Sequence, residues 1–276
     1  MRVVALLATH NEARFVRSCI EHLIGQGIDV YLLDNDSTDA TVKIAERYVG
    51  HGLAGLENIP RAEVYSWRPI LERKAELAAS LDADWFVHVD ADEIRLPPRS
   101  HQTLAEALAA VGRQGYNAVN FQEFTFVPTR ESPDHDHARF LQTMRWYYAF
   151  TPRFPHRLNA WKRPDEPVDL ASSGGHQVSF PGLRMYPYSF PMRHYLFLSI
   201  EHAVRKYVAR KYDPAEVADG WHRARAALRP EAIMLLPQSQ LKKYISDDLL
   251  DASDPWVEHP LFSGVSQRSP ASESTM

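Results

Sequence analysis

Three carboxylates come directly after an apolar run in the N-terminal half of the chain. Residues 85–89 are mostly apolar, and Asp90, Asp92 and Glu93 follow them. Such a run predicts a buried strand, which tolerates charged carboxylates only at its exposed end. Asp90 and Asp92 are two residues apart, so they point the same way from that end. A divalent cation with oxygen ligands would relieve their repulsion and would also bind phosphate groups, whereas a solvated acidic turn is the alternative for an isolated pair.

Two further polar clusters end predicted strands upstream. The apolar residues 3–8 lead into Thr9-His10-Asn11-Glu12, and the apolar residues 30–33 lead into a cluster that begins at Asp34. Apolar residues at helical spacing follow each cluster, over 14–26 and 39–49. This alternation predicts an α/β fold with a parallel sheet and helices on its faces. Ligands bind beyond the carboxyl ends of such strands, so we expect the three clusters to meet along one rim.

The strings ATHNEARFVRSCIEHL, VYLLDNDSTDAT and ADWFVHVDADE, in this order and at these spacings, resemble the opening of family-2-type glycosyltransferases with the GT-A fold. The resemblance covers residues 1–125, and Asn35-Asp36 depart from it where Asp-Gly is commoner. It implies a mostly parallel central sheet flanked by helices, with a helical C-terminal extension. We expect a nucleotide-sugar-binding half over 1–127, an acceptor-side half over 128–198, the extension over 199–262 and a polar, disordered tail over 263–276.

The same resemblance implies roles for single residues. Asp90 and Asp92 match the D-x-D motif, whose carboxylates bind Mn²⁺ or Mg²⁺ and, through it, the diphosphate. The matching nucleotide-binding candidates are Thr9, Asn11, Asp34 and Asp90. The helix predicted over 67–82 adds Lys74 as a candidate for a phosphate or nucleotide contact. Helix capping and turn formation are the alternatives for Asn11 and Asp34, and a solvated surface lysine is the alternative for Lys74.

Later segments resemble signatures of a family-2 subgroup. They are a Gly-His element ending at His176, a strand ending in His194-Tyr195, and a helix carrying Lys206. His194 is our candidate third metal ligand, although a lone histidine is more often structural. His176 is a candidate to orient the acceptor or to donate to a phosphate, and the basic face of the helix could reach the diphosphate, an acidic membrane surface or only solvent.

An inverting transfer needs a general base for the acceptor hydroxyl. The usual acidic pair after a Gly-rich turn is not clearly present, so we rank Asp169 and Glu166 together. Residues 129–139 are polar, with Pro128 before them and Pro133 among them, and Asp and His alternate over 134–137. Alternating His and Asp could suggest a metal site, but no apolar frame holds these residues, so we expect a mobile loop over 130–139.

The sequence therefore predicts a metal-dependent glycosyltransferase that moves a sugar from a nucleotide diphosphate sugar to a carbohydrate or lipid-linked acceptor. One alternative is a nucleotidyltransferase, but residues 8–13 contain no glycine for a phosphate loop. The other is a non-catalytic nucleotide-sugar-binding protein, which the intact Asp90 and Asp92 argue against.

Composition narrows the class of protein. The chain has 276 residues, of which 45% are hydrophobic and 24% charged, as in one large globular domain. Its net charge of −4 gives no support for nucleic-acid binding, and the single Cys19 excludes a disulfide within one chain. We find no signal peptide and no run of about 20 apolar residues. We therefore expect a cytoplasmic protein, and peripheral contact with the inner membrane face is compatible with this.

Overall fold

A mixed β-sheet lies at the centre of the protein. The computed structural model describes residues 1–61 and 63–260, and the tail predicted over 263–276 lies outside them. Within the described residues the strands are β1 (Val3–Thr9), β2 (Asp29–Asp34), β3 (Leu53–Asn58), β4 (Trp85–Asp90), β5 (Glu93–Arg95), β6 (Ala118–Phe126), β7 (Trp146–Phe150), β8 (Arg157–Lys162), β9 (Phe190–Tyr195) and β10 (Lys242–Lys243).

Short helices connect or flank these strands. They are α1 (Val16–Gly25), α2 (Thr41–Ala45), α3 (Arg68–Ser80), α4 (Leu104–Arg113), α5 (Phe140–Thr143), α6 (Ile200–Ala203), α7 (Pro214–Ala218) and α8 (Arg223–Ala226). A capping box fixes the start of α4, because Thr103 Oγ1 accepts a hydrogen bond from Glu106 N and Glu106 Oε2 accepts one from Thr103 N. α1 begins at residue 16, two residues later than expected, and no side chain caps it.

The strand order is β10-β7-β6-β8-β4-β1-β2-β3, and β9 pairs with both β5 and β6. The strands β1 to β4, which lie in the half predicted to bind the nucleotide sugar, pair in parallel, as predicted. Beyond β4 the pairings are mostly antiparallel, so the expectation of a mostly parallel sheet holds only for that half. A parallel connection needs a long crossover, usually a helix, and the links after β6 contain only short helical turns.

The core lies on both faces of the parallel strands. In β1, Val3, Ala5 and Leu7 pack into one hydrophobic cluster, whereas Val4 and Leu6 pack into another on the opposite face. Strands covered on both sides are continuously apolar, which explains why β1 and β4 lack the alternation of a half-exposed strand. Apart from His88 within β4, the polar residues of β1 and β4 therefore lie at the strand ends, where the site lies.

The C-terminal extension is less helical than the sequence suggests. We expected a helical extension over 199–262, but the chain forms only α6, which continues into a π-helical segment (Val204–Val208), then α7, α8 and short 3-10 turns, with loops between them. The expected loop over 130–139 is packed in this structure: His135 is buried, and Asp136 pairs with Arg14 at 2.5 Å and Arg205 at 2.8 Å. No helix of the described residues is long and apolar enough to cross a membrane.

Candidate active site

A cavity of about 550 Å³ opens beyond the carboxyl ends of β1 and β4. Register places Thr9 beside Asp34 and Ala8 beside Asp90, so the predicted meeting of the three polar clusters along one rim is confirmed. The lining includes Thr9, His10, Glu12, Asn35, Tyr65, Asp90, Asp92, Arg157, His176, His194, Lys206, Arg210, His222 and Arg225. The parallel half of the sheet thus contributes carboxylates, and the C-terminal extension contributes cations.

The two carboxylates of the D-x-D motif have different surroundings. Asp90 ends β4, and its side chain lines the cavity with no hydrogen bond or ion pair to another described residue. Asp92 is buried, and its Oδ2 lies 2.5 Å from Lys206 Nζ and 3.4 Å from His194 Nε2. Burial alone would raise the pKa of Asp92, but Lys206 and His194 outweigh it and hold that pKa far below its usual range.

A series of buried charged contacts connects Asp92 through His194 and Glu123 to Arg157. His194 Nδ1 donates to Glu123 Oε1 at 2.7 Å, and Arg157 Nε donates to Glu123 Oε2 at 2.9 Å. Burial disfavours the charged form of His194, but Glu123 and Asp92 together raise its pKa to about 9. With Nδ1 donating to Glu123, Nε2 is the ring nitrogen that faces Asp92, 3.4 Å from its Oδ2.

Thr9 and Asp34 form a buried pair at the ends of β1 and β2. Thr9 Oγ1 donates to Asp34 Oδ1 at 3.1 Å, and Asp34 Oδ2 accepts from Ser37 N at 2.8 Å. Thr9 lines the cavity as described, but Asp34 does not. Asp34 thus orients Thr9 and closes the turn after β2.

Asn11 is exposed, and its backbone has a φ of 57°. Its Oδ1 accepts hydrogen bonds from Thr38 N at 2.7 Å and Asp39 N at 3.2 Å, so the side chain ties two loops together. Asn11 is not the N-cap of α1 and does not line the described cavity.

Lys74 on α3 is 0% exposed and does not reach the cavity in this structure. Its Nζ donates to His88 Nδ1 at 3.2 Å and to Val89 O at 3.3 Å. Burial lowers the pKa of Lys74 to about 8, against the raising effect of Asp90. Lys74 therefore contacts β4 at His88 and Val89. Of these two residues, His88 lines the cavity.

Three guanidinium groups that line the cavity were missed from the sequence. Arg157 begins β8, and Arg223 and Arg225 lie in α8. Like Arg210, Arg225 makes no side-chain hydrogen bond or ion pair with another described residue, and it packs 5.2 Å from the ring of Tyr207. The signal available was weak, because an arginine in a short basic run such as residues 223–225 is typical of any solvated surface.

A second cavity of about 610 Å³ adjoins the first, and both are lined by Trp67, Gly174, His176, Gly220 and His222. Asp169 lines the second cavity, where its Oδ1 accepts from Ser172 N at 3.0 Å. Ser172, Ser173, Gln177, Asp219 and Trp221 also line it. Glu166 is exposed and lines neither cavity as described.

His176 stands where the two cavities meet. Arg157 Nη1 lies 3.3 Å from its Nδ1 and donates to it, and the ring stacks on His156 with 5.0 Å between centroids. Burial, aided by Arg157, holds the pKa of His176 well below its usual range. A neutral ring whose Nδ1 accepts a hydrogen bond carries its proton on Nε2, so His176 is a donor rather than a base.

The predicted metal ligands do not form a metal shell in this structure. Within residues 1–61 and 63–260, no three His, Cys, Asp or Glu side chains come together in a way that could hold a metal ion. Asp90 and Asp92 offer the oxygen atoms that Mn²⁺ and Mg²⁺ prefer, but Lys206 Nζ already lies 2.5 Å from Asp92 Oδ2, where it takes the place of a cation. With Lys206 in this place, the residues present do not fit a resident ion.

A model of the family described as glycosyl transferase family 2 matches residues 5–154, more than half of the chain. No curated protein sequence matches the chain.

Among solved structures, the chain is similar to the mannosyltransferase PcManGT from Pyrobaculum calidifontis in complex with GDP-Man and Mn²⁺, at a TM-score of 0.43 and 18% identity over 82% of this chain and 70% of that one. It is also similar to residues 1–349 of TarS from S. aureus in complex with UDP, at a TM-score of 0.43 and 13% identity over 71% of this chain and 61% of that one. The chain thus spans about three fifths of that TarS structure, and these TM-scores are too low to transfer ligands or residue roles.

Proposed function

Because this chain belongs to glycosyl transferase family 2, we propose that it transfers a sugar from a nucleotide diphosphate sugar to a hydroxyl group of an acceptor. The observation that carries the proposal is the cavity at the ends of β1 and β4. Both strand-end carboxylates and guanidinium groups without an acidic partner among the described residues line it. A diphosphate is the ligand class that such a set of cations recognises, since phosphate oxygens accept bidentate hydrogen bonds from arginine.

Arg210 and Arg225 are the proposed diphosphate contacts. Both side chains line the cavity without an acidic partner among the described residues, and Arg210 lies 4.5 Å from the ring of Tyr65. A guanidinium group that faces a cavity without a counter-ion has most to gain from an anionic ligand. Negative charge grows on the diphosphate as it leaves, so these cations stabilise the transition state more than the ground state.

The nucleotide is assigned to the β1 and β2 side of the cavity. Thr9 is the proposed contact there, and Asp34 holds its hydroxyl in place. Asn11 and Lys74 stay predictions: both are engaged by protein groups, so either would have to leave its present partners to contact a nucleotide.

The acceptor is assigned to the second cavity, with Asp169 as the general base and Glu166 as a weaker prediction. Asp169 takes the proton of the acceptor hydroxyl while its oxygen bonds to the anomeric carbon and the bond from that carbon to the diphosphate oxygen breaks. Attack from the side opposite to the diphosphate inverts the anomeric centre. The neutral His176 donates a hydrogen bond at the junction, and Trp221 offers an apolar ring face to a sugar.

The predicted requirement for Mn²⁺ or Mg²⁺ stays a prediction. Asp90, whose carboxylate is unpaired among the described residues, would be the first protein ligand of an ion that arrives with the diphosphate. Mg²⁺ is commonly bound in this way, by one or two carboxylates and phosphate oxygens. Its chemistry would be to neutralise the leaving group. A carbohydrate or lipid-linked acceptor, and contact with the inner membrane face, likewise stay predictions.

The proposal is tested first by a thermal-shift screen of nucleotide sugars, with Mn²⁺ and with a chelator. A donor that binds the native state raises the Tm. The best donor is then incubated with candidate acceptors, and release of nucleotide diphosphate and formation of glycosylated product are measured. A protein that binds a donor but never turns over would favour the non-catalytic alternative. A protein that transfers the nucleotidyl group would favour the nucleotidyltransferase.

The base is tested with Asp169→Asn, for which we expect transfer to fall by about 10²–10⁴-fold while the donor Kd is unchanged. Asp165→Asn, which replaces an exposed carboxylate of the same loop, is the matched control and should be fully active. If Asp169→Asn keeps normal transfer, the assignment passes to Glu166 and is tested by Glu166→Gln.

A further inference from the structure

Lys206 holds the cation position beside Asp92. Its Nζ lies 2.5 Å from Asp92 Oδ2 and 4.0 Å from Glu12 Oε1. The side chain is only 10% exposed, and its Nζ lies 5.0 Å from the ring centroid of Phe15. The ammonium group is therefore enclosed by one close carboxylate, a second one nearby and an aromatic face, which is how a buried cation is stabilised.

A divalent ion and this ammonium group would compete for Asp92 Oδ2. Metal–oxygen distances of about 2.0–2.6 Å are close to the 2.5 Å between Oδ2 and Nζ, so an ion that binds Oδ2 from the side of Lys206 would need the position of Nζ. The repulsion between the two cations would be large in a buried site, where charges are weakly screened.

We propose that Lys206 is a built-in competitor for the metal position of the D-x-D motif, so that the free protein excludes a divalent ion from Asp92. Asp92 positions Lys206 in this state, and Asp90 is left open toward the cavity. An ion can reach Asp92 only when the ammonium group moves to another anion.

The incoming diphosphate is that anion, and this clause alone rests on the proposed function. Lys206 lines the same cavity as Arg210, four residues further along. A lysine side chain has a flexible four-carbon stem, and its ammonium group is a non-directional charge, so it can exchange one anionic partner for another. Lys206 lies in the π-helical segment (Val204–Val208), and such irregular turns are frequent at functional sites.

The test measures Mn²⁺ binding to the full-length protein without nucleotide, by electron paramagnetic resonance of the free ion. Lys206→Met removes the charge and keeps an apolar stem, whereas Lys206→Arg keeps the charge. Lys211→Met, at an exposed position nearby, controls for the general loss of a positive charge. Lys206→Gln replaces the Met variant if the latter fails to fold, as judged by circular dichroism.

We expect Lys206→Met to bind Mn²⁺ at least about tenfold more tightly than the wild type, Lys206→Arg and Lys211→Met, because about 1.4 kcal/mol of competition equals a factor of ten. Asp92→Asn added to Lys206→Met should remove that gain. Equal affinity of the wild type and Lys206→Met, or a gain that survives Asp92→Asn, would overturn the inference. Because no nucleotide sugar is used, these outcomes do not depend on whether the protein transfers a sugar.

Discussion

Glu216 caps a helix that begins 148 residues before it. Its Oε1 accepts hydrogen bonds from the backbone N–H groups of Trp67 and Arg68, both at 2.7 Å, and the carboxylate is buried. A negative charge at a helix N-terminus satisfies free N–H groups and complements the helix dipole. This contact fastens the C-terminal extension to α3 and so holds Arg210, His222 and Arg225 over the cavity.

We expect Glu216→Ala to lower the free energy of unfolding by about 1–3 kcal/mol, because it leaves buried N–H groups without acceptors. Urea unfolding measures this. Glu201→Ala removes an exposed carboxylate of α6 and should cost less than about 1 kcal/mol. Equal losses in the two variants would contradict the capping role.

Arg225→Met should weaken the binding of UDP or GDP by about tenfold or more, since a hydrogen bond to a charged group contributes about 1.5–3 kcal/mol. Isothermal titration calorimetry gives the Kd. Arg229→Met changes an exposed arginine of the same segment and should leave the Kd unchanged. A normal Kd in Arg225→Met would remove this residue from the diphosphate site.

His202 makes stability depend on pH. Its Nδ1 accepts a hydrogen bond from Leu198 N at 3.1 Å, which requires a neutral ring. Burial, with help from Lys206 and Arg205, lowers its pKa to about 3, and Asp136 and Asp92 oppose this only in part. The unfolded chain, with a histidine pKa of about 6.5, binds the proton first, so stability is full above pH 6.5 and falls as the pH drops toward 3.

His202→Asn keeps a hydrogen-bond acceptor but cannot be protonated. When the pH drops from 7 to 5, we therefore expect the free energy of unfolding to fall by about 2 kcal/mol more in the wild type than in His202→Asn. Urea unfolding at the two pH values measures the difference. His51→Asn, at an exposed position, should follow the wild type. An unchanged pH dependence in His202→Asn would show that this ring does not titrate as described.

Gly175 and Gly182 both have a positive φ, but only Gly175 is closely packed, so the pair separates backbone strain from overpacking. The φ of Gly175 is +84°, and a Cβ there would lie 3.0 Å from Leu71 and 3.2 Å from His88. Gly182 has a φ of +76° with no atom within 4 Å of its virtual Cβ. We expect Gly182→Ala to cost about 1–2 kcal/mol from backbone strain alone, and Gly175→Ala to cost about 1–3 kcal/mol more from overpacking. Equal melting temperatures for the two variants would contradict the packing argument.

The family was predicted from three short strings and the α/β class of fold from the alternation of strands and helices, and both predictions are confirmed. This was possible because β1 and β4 are almost entirely apolar on both faces, so their carboxylates could lie only at the strand ends. Adjacent parallel strands end at the same edge, so the order of the strings alone placed Thr9, Asp34 and Asp90 together. The predicted roles of single site residues stay predictions.

The sequence by itself determined the rim of the sheet and the carboxylates on it, because strand periodicity and strand ends are local properties of the chain. Only the tertiary structure decided which partners those carboxylates have. Lys206 meets Asp92 across 114 residues, and Glu123 meets His194 across 71. Such pairings depend on how the antiparallel half and the C-terminal extension pack, and no local pattern encodes the distance between two charges brought together by folding.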